Sequence, residues 1–318
     1  MKPAASISLD LDNLWSYLKT QGAPGWQSYP SYLDKVVPRI LDVLERCGQR
    51  ITFFIVGQDA AIESNRAVLK SIAAAGHEIA NHSFMHEPWL HLYDRGRLNQ
   101  EIGDAEKMIT AVTGQTPRGF RGPGFSTSPL VREVLVERGY DYDASLFPSA
   151  LGPVARLFFF FNSKLGSAEK EQRKGLYGKF SDAFGTLNPF AWDNGLIEIP
   201  VTTMPLFRLP VHATYLMFLA QKSEALARLY WNTVIALCRV RRVAPSLLLH
   251  PTDFLDVQDV PEMSFFPGMK LAAEKKIALV EHTLRSLQLH WQLGTMSEHA
   301  AAFTRRAPAC ASLSTQPA

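Results

Sequence analysis

His82 and His86 stand four positions apart in the segment His82-Ser-Phe-Met-His86, and on a helical turn that spacing brings both imidazoles to one side. With a carboxylate, two imidazoles make a common three-donor set for a divalent cation such as zinc, leaving positions open for water and substrate. Asp10 and Asp12 offer the carboxylates. They lie in Ser6–Asp12, where Ile7, Leu9 and Leu11 alternate with Ser8, Asp10 and Asp12, so both acids leave one face of a strand. Two like charges held close together need a cation or a proton between them. An N-cap at the turn after the strand accounts for only one of them.

The spacing of apolar residues predicts the elements that hold these groups. After the first strand, Tyr32, Val36, Ile40, Val43, Leu44 and Cys47 recur at helical spacing up to Gly48, and Ile51–Gly57 is a buried-strand run. A helix over Glu63–Ala75, a strand from His77 to about Ala80 and a helix carrying Leu98, Ile102, Ala105, Ile109 and Val112 follow. Then come a strand running into the glycine-rich loop at Arg121, a helix over Ser128–Arg138 and a short strand at Asp143. Beyond the break at 150–193, a strand over Gly195–Thr203, a long helix over His212–Arg239, a strand ending at His250 and a final helix over Lys270–Leu289 resume the rhythm. Strands alternating with helices give right-handed parallel βαβ units, whose reactive residues sit at the carboxyl ends of strands. Asp10, Asp12, His82, His86, Arg121, Asp143 and His250 all fall at such ends.

The composition excludes several alternatives. Among 318 residues, 33 basic and 30 acidic side chains leave a net charge of +3, too small a surplus for a protein that works by neutralising nucleic-acid phosphates. With 47% hydrophobic and 20% charged residues the chain has the makeup of a folded domain. Cys47, Cys238 and Cys310 are odd in number and scattered, which gives neither a disulfide framework nor a metal knuckle and suits a reducing compartment. The N-terminal segment places aspartates where a secretion signal needs apolar residues. A protein of the cytoplasm, free or peripheral at the inner face of the membrane, is expected, with one domain over 1–303 and a disordered tail over 304–318.

Asp10-Leu-Asp12, His82-Ser-Phe-Met-His86, Arg121-Gly-Pro123-Gly-Phe125 and Leu247-Leu-Leu-His250 resemble, in order, the motifs of the polysaccharide deacetylase family, carbohydrate esterase family 4 or NodB homology domain. The resemblance spans some 240 residues of the chain. It implies an α/β fold, a distorted (β/α) barrel, and metal-dependent hydrolysis of an N-acyl group on an amino sugar. Carried over, it makes Asp12, His82 and His86 the ligands of a divalent metal, most commonly zinc. It makes Asp10 the general base, Arg121 the group that orients it, Pro123 part of the groove wall, and His250 the general acid toward the leaving amine. Leu11 separates aspartates that are usually adjacent in the family, so the roles of Asp10 and Asp12 are exchangeable. The tryptophan-containing motif, whose aspartate supports the acid histidine, has no clear counterpart; Asp253 or Asp143 is expected to replace it, with Asp253 nearer in sequence and Asp143 also suited to fixing a turn. Gly124, Phe125 and Trp89 are expected along the substrate groove.

The stretch 150–193 breaks the alternation and reads as a helical insertion. Residues 147–190 hold eight of the 19 phenylalanines, and 151–180 holds six Lys or Arg against two Glu, a local surplus of +4. Aromatics beside cations suit a membrane interface as well as a subdomain packed on the barrel. The expected substrate is an amino-sugar glycan of the envelope or its lipid-linked precursor, losing acetyl or formyl, with peripheral membrane contact through 151–180 and no nucleic-acid partner. The alternatives are a hydrolase of small amides, as in allantoinase-like relatives of the fold, and a non-catalytic carbohydrate- or membrane-binding barrel.

Overall fold

The alternation at the N-terminus becomes β1 (Ala4–Asp10), whose Ile7 and Leu9 enter the main core while Ser8 and Asp10 face inward to Arg121. In the computed structural model, which describes residues 2–152, 166–172 and 184–306, β1 is followed by α1 (Leu14–Gln21) and α2 (Leu33–Arg46). Next come β2 (Thr52–Ile55), α3 (Gly57–Ala61), α4 (Arg66–Ala74), β3 (Glu78–Asn81) and α5 (Arg95–Thr113). β4 (Gly119–Phe120), α6 (Pro129–Glu137), β5 (Tyr142–Asp143), α7 (Ser167–Gln172), β6 (Phe190–Ala191) and β7 (Ile197–Glu198) continue the chain. α8 (Ala213–Lys222), α9 (Glu224–Val240), β8 (Ser246–Leu249), α10 (Ala273–Gln288), β9 (Gln292–Gly294) and α11 (Met296–Arg306) complete the described elements.

The nine described strands form one sheet in the order β6-β7-β5-β4-β3-β2-β1-β8, with β9 also pairing with β1. Every pairing is parallel except β6 with β7. The sheet curls until Thr202, beyond β7, meets Ser246 of β8, where the Thr202 amide donates to the Ser246 carbonyl at 3.1 Å and the Ser246 amide to the Thr202 hydroxyl at 2.6 Å. This is the expected α/β barrel. It is distorted because β4 to β7 are each two residues long and supply little ladder.

Helix ends follow the sequence signals. α2 buries Val36, Val37, Ile40, Val43 and Leu44 along one stripe, and α5 starts on the Asp94 carboxylate, which accepts from the Arg97 amide at 2.9 Å. The helix expected over His212–Arg239 is two: Ser223 is extended (φ −161°, ψ 122°), and its hydroxyl caps α9 by accepting from the Leu226 amide. α11 was not expected. It runs through Thr304–Arg306, which were assigned to the tail. Most of the expected insertion, 153–165 and 173–183, and the remainder of the tail, 307–318, lie outside the described residues.

α11 plugs the amino-terminal end of the barrel. The Glu78 carboxylate accepts from the hydroxyls of Thr52 (2.5 Å) and Tyr142 (2.9 Å), from the Ser297 amide (3.1 Å) and from the Ser297 hydroxyl. Ser6 and His299 bond nearby through Oγ and Nδ1 at 2.9 Å. The opposite end, where the carboxyl termini of the strands emerge, carries the residues singled out above.

Candidate active site

Asp10 closes β1, and Arg121 follows β4. Arg121 is fully buried; its Nη1 donates to Asp10 Oδ1 at 2.6 Å and to Ser8 Oγ at 2.9 Å, while Nε donates to the Ala144 carbonyl at 2.9 Å. The guanidinium lies 4.2 Å from the Phe54 ring centroid. A planar donor fork tied at three points sets the angle of one carboxylate oxygen and leaves the other, Oδ2, toward the histidines, 3.9 Å from His82 Nε2.

Asp12 Oδ1 lies 2.9 Å from His86 Nε2 and 3.4 Å from His82 Nε2. The donor atoms of Asp12, His82 and His86 fall within 4.8 Å of one another, and all three residues are buried. Asp12 Oδ1 is buried without a well-aligned hydrogen bond, and two imidazole nitrogens converge on it. A cation fits such a cradle. His82 Nδ1 contacts the Arg121 carbonyl oxygen at 2.7 Å, a backing that turns Nε2 toward Asp12, as metal-binding imidazoles commonly require. Burial alone would raise Asp12, but His86 and His82 beside it outweigh burial and hold its carboxyl well below the usual range. Burial would lower His82, but Asp10 and Asp12, with the Arg121 carbonyl, raise it.

The histidine pair does not sit on a helical turn. β3 ends at Asn81, and 82–86 is an irregular loop in which Ser83 (φ 63°) and His86 (φ 51°) take left-handed backbone. Tertiary bonds impose this shape. The Asn81 carboxamide accepts from the Ser83 amide at 2.8 Å, Glu101 of α5 accepts from the Phe84 and Met85 amides at 3.1 and 2.6 Å, and the first amides of α3 donate to the Ser83 and Phe84 carbonyls. The spacing of four therefore works through a clamped loop.

After Arg121 the chain makes a single 3-10 turn over Pro123–Phe125 with Pro123 buried. A Cβ on Gly122 would lie 2.0 Å from the Ser126 carbonyl oxygen, so only glycine fits there. Gly124 (φ 59°) and Phe125 (φ 64°) turn the chain outward, and the Phe125 ring stacks on Phe147 at 4.6 Å. Phe147 reaches His212 (6.0 Å), and His212 faces His250 (6.1 Å). These four rings form one wall. Trp89 is not on it: it is buried, packs with Leu90, Leu98 and Val131, and donates from Nε1 to the Tyr93 hydroxyl at 3.1 Å.

His250 follows Leu249, the register partner of Leu9, and so neighbours Asp10 across the β1–β8 pair. Its amide donates to Asp253 Oδ2 at 2.8 Å, and its Nδ1 lies 3.1 Å from the Thr214 hydroxyl. Asp253 thus meets His250 through the backbone. Asp143 is elsewhere. Its β5 neighbour Tyr142 packs inward against Phe54, so Asp143 points outward; its carboxylate accepts from the Ser145 hydroxyl at 2.5 Å and amide at 3.1 Å and from the Thr127 hydroxyl at 3.3 Å. It fixes the turn whose Ser145 hydroxyl also receives the Gly122 amide at 2.8 Å.

Thr214, His212 and Tyr17 escape a reading of the sequence. His212 accepts the Tyr215 amide on Nδ1 at the start of α8, and burial with the His250 charge pushes it down to about 3, so it is a neutral wall residue. The Tyr17 hydroxyl is buried without a hydrogen-bond partner, and burial, reinforced by Asp12, raises it well above the usual phenol range. Nothing in the spacing of these residues ties them to positions 12 or 250.

The carboxylate–imidazole cradle lies at the carboxyl ends of the barrel strands, the end where (β/α) barrels place reactive residues. Residues 24–142 match the polysaccharide deacetylase family model. Over that stretch the chain is similar to the polysaccharide deacetylase family, the NodB homology domain or carbohydrate esterase family 4. It is similar to a peptidoglycan deacetylase of Helicobacter pylori, 28% identical over 117 residues, which are 37% of this chain and 39% of that protein. It is also similar to a chitin deacetylase of Pestalotiopsis sp, 31% identical over 102 residues, 32% and 34% of the two chains. The chain thus spans little more than a third of the length of these relatives. A polysaccharide deacetylase-like structure from Mycobacterium smegmatis superposes over 100% of this chain and 95% of its own with a TM-score of 0.57 at 19% identity, a likeness of fold. Asp10, Asp12 and His250 lie outside the stretch matched by the family model, and folding brings them to His82, His86 and Arg121.

Proposed function

We propose that the protein is a metal-dependent hydrolase that removes an N-acyl group, acetyl or formyl, from an amino sugar of an envelope glycan or its lipid-linked precursor. The observation that carries this reading is the convergence of Asp12, His82 and His86 beside an Asp10 held by Arg121. The names of the similar proteins, peptidoglycan and chitin deacetylases, support an amino-sugar substrate.

Asp12, His82 and His86 would hold the cation, and the donor set of one carboxylate and two imidazoles suits zinc. When bound, such a cation polarises the amide carbonyl and lowers the pKa of water toward about 7. Asp10 then accepts the proton of the attacking water on Oδ2 while Arg121 holds Oδ1. His250, at the neighbouring strand end, delivers a proton to the leaving nitrogen as the C–N bond breaks. The Phe125, Phe147 and His212 wall shields that side of the groove from water.

The test is metal content and acetate or formate release from N-acylated amino sugars, comparing wild type with Asp10→Asn. Both proteins are expected to bind one divalent ion, and the variant to lose about 10²- to 10⁴-fold in kcat. A wild-type protein that holds no metal and turns over no acylated sugar overturns the reading. Exposed Leu206 and Phe207 favour the lipid-linked substrate: their loop joins the start of the expected insertion, where the Ala150 amide donates to the Arg208 carbonyl at 3.0 Å. Sedimentation with anionic vesicles, lost in Leu206→Ser/Phe207→Ser, checks it.

A further inference from the structure

Acid catalysis by a histidine requires that its proton sit on the nitrogen facing the leaving group, so something must fix the other nitrogen. In this chain the carboxylate expected beside His250 does not touch the ring: Asp253 accepts from the backbone amide. The atom on Nδ1 is the Thr214 hydroxyl, at 3.1 Å. Thr214 is 6% exposed and sits in the first turn of α8. Burial raises the fully buried Asp253 carboxyl above its ordinary value, and His250 and the neighbouring Thr214 hydroxyl oppose that rise; its Oδ1 has no other hydrogen-bond partner among the described residues.

Resting on the activity proposed above, we infer that Thr214 is a positioning residue that links His250 to Asp253 and fixes the histidine's tautomer. A hydroxyl has one proton. When ionised, the Asp253 carboxylate can only accept, and the Thr214 proton then turns toward it. The hydroxyl oxygen is then left to accept, and Nδ1 of His250 must carry a hydrogen. The protonated ring therefore holds Nδ1–H on Thr214 and presents Nε2–H to the groove. As the amide C–N bond breaks, the Nε2 proton passes to the leaving nitrogen, whose bonding pair receives it. The neutral ring left behind is the Nδ1–H tautomer, the form Thr214 already binds. His212, the other imidazole of the wall, does not compete, because its Nδ1 is occupied by the Tyr215 amide.

The experiment uses full-length protein labelled with ¹⁵N-histidine. The His250 signals are assigned by their loss in His250→Gln, and the tautomer is read from the ring ¹⁵N shifts in the neutral form. Wild type and Thr214→Ser are expected to be protonated at Nδ1. Thr214→Val should shift the ring toward the Nε2–H form. Asp253→Asn should do the same, because a carboxamide donates to the threonine oxygen and turns the hydroxyl proton onto Nδ1. On an N-acylated amino sugar, Thr214→Val should lower kcat by about tenfold or more with KM within about twofold, and Thr214→Ser should restore it. An unchanged tautomer in Thr214→Val overturns the link, and a changed tautomer with unchanged kcat overturns its part in turnover. If wild type hydrolyses no acylated sugar, the proposed activity fails while the tautomer result still decides the role of Thr214.

Discussion

The two ends of the barrel both bury polar groups but treat them differently. At the amino-terminal end Glu78 is a hub whose oxygens meet Thr52, Tyr142 and Ser297, and Ser6 finds His299. At the carboxyl-terminal end Asp12 Oδ1 and His86 Nδ1 are buried without a well-formed hydrogen bond among the described residues. Each such group costs roughly 1–3 kcal/mol if nothing satisfies it. The difference separates two uses of buried polarity. A satisfied cluster holds the fold together, whereas the open carboxylate–imidazole cluster is where the cation proposed above would sit.

Substitutions at the two ends should therefore have opposite signatures. Asp12→Ala is expected to weaken zinc binding by more than about 100-fold, measured by competition with a chelating dye, and to abolish the rise in thermal midpoint that added zinc gives wild type. Glu78→Ala should leave zinc affinity within about twofold but lower unfolding free energy by about 2–3 kcal/mol in urea titrations, because four donor groups on three residues lose their acceptor. Zinc affinity lost in Glu78→Ala, or retained in Asp12→Ala, would break the distinction between the ends.

Much of this arrangement is legible in the sequence. Period two in Ser6–Asp12 marks β1 and its acid-bearing face, and period 3.6 marks α2 and α5. The order of strand ends brings Asp10, Asp12, His82, His86, Arg121 and His250 to one end of the barrel. What is not legible depends on contacts between distant residues. The 82–86 loop takes its shape from Asn81 and from Glu101 on another element, against the preference of Ser83 and His86 for negative φ. Strands of two residues, such as β5, carry too little pattern to show which way Asp143 points. Thr214 meets His250 only because α8 packs against the end of β8, and no local signal at a threonine announces that. Trp89 sits beside the metal motif in sequence yet turns into the core.

A smaller effect sharpens the comparison at the amino-terminal end, where satisfaction depends on a neutral histidine. His77 Nδ1 accepts the Ile51 amide at 3.2 Å, and its ring meets Phe53 edge-on at 5.1 Å. Burial first, then the charge of Arg50, pushes it down to about 4 from an ordinary value near 6.5. Between those pH values the unfolded chain binds the proton and the native chain does not. The stabilisation is thus fully present above about pH 6.5 and is lost as pH falls toward 4. His77→Gln removes the titration, so the stability advantage of wild type over the variant should shrink by about 1–2 kcal/mol between pH 7 and pH 4, allowing for solvent screening. Urea unfolding of both proteins at several pH values measures this; an advantage that stays constant would mean that the Ile51–His77 bond does not rely on a neutral ring.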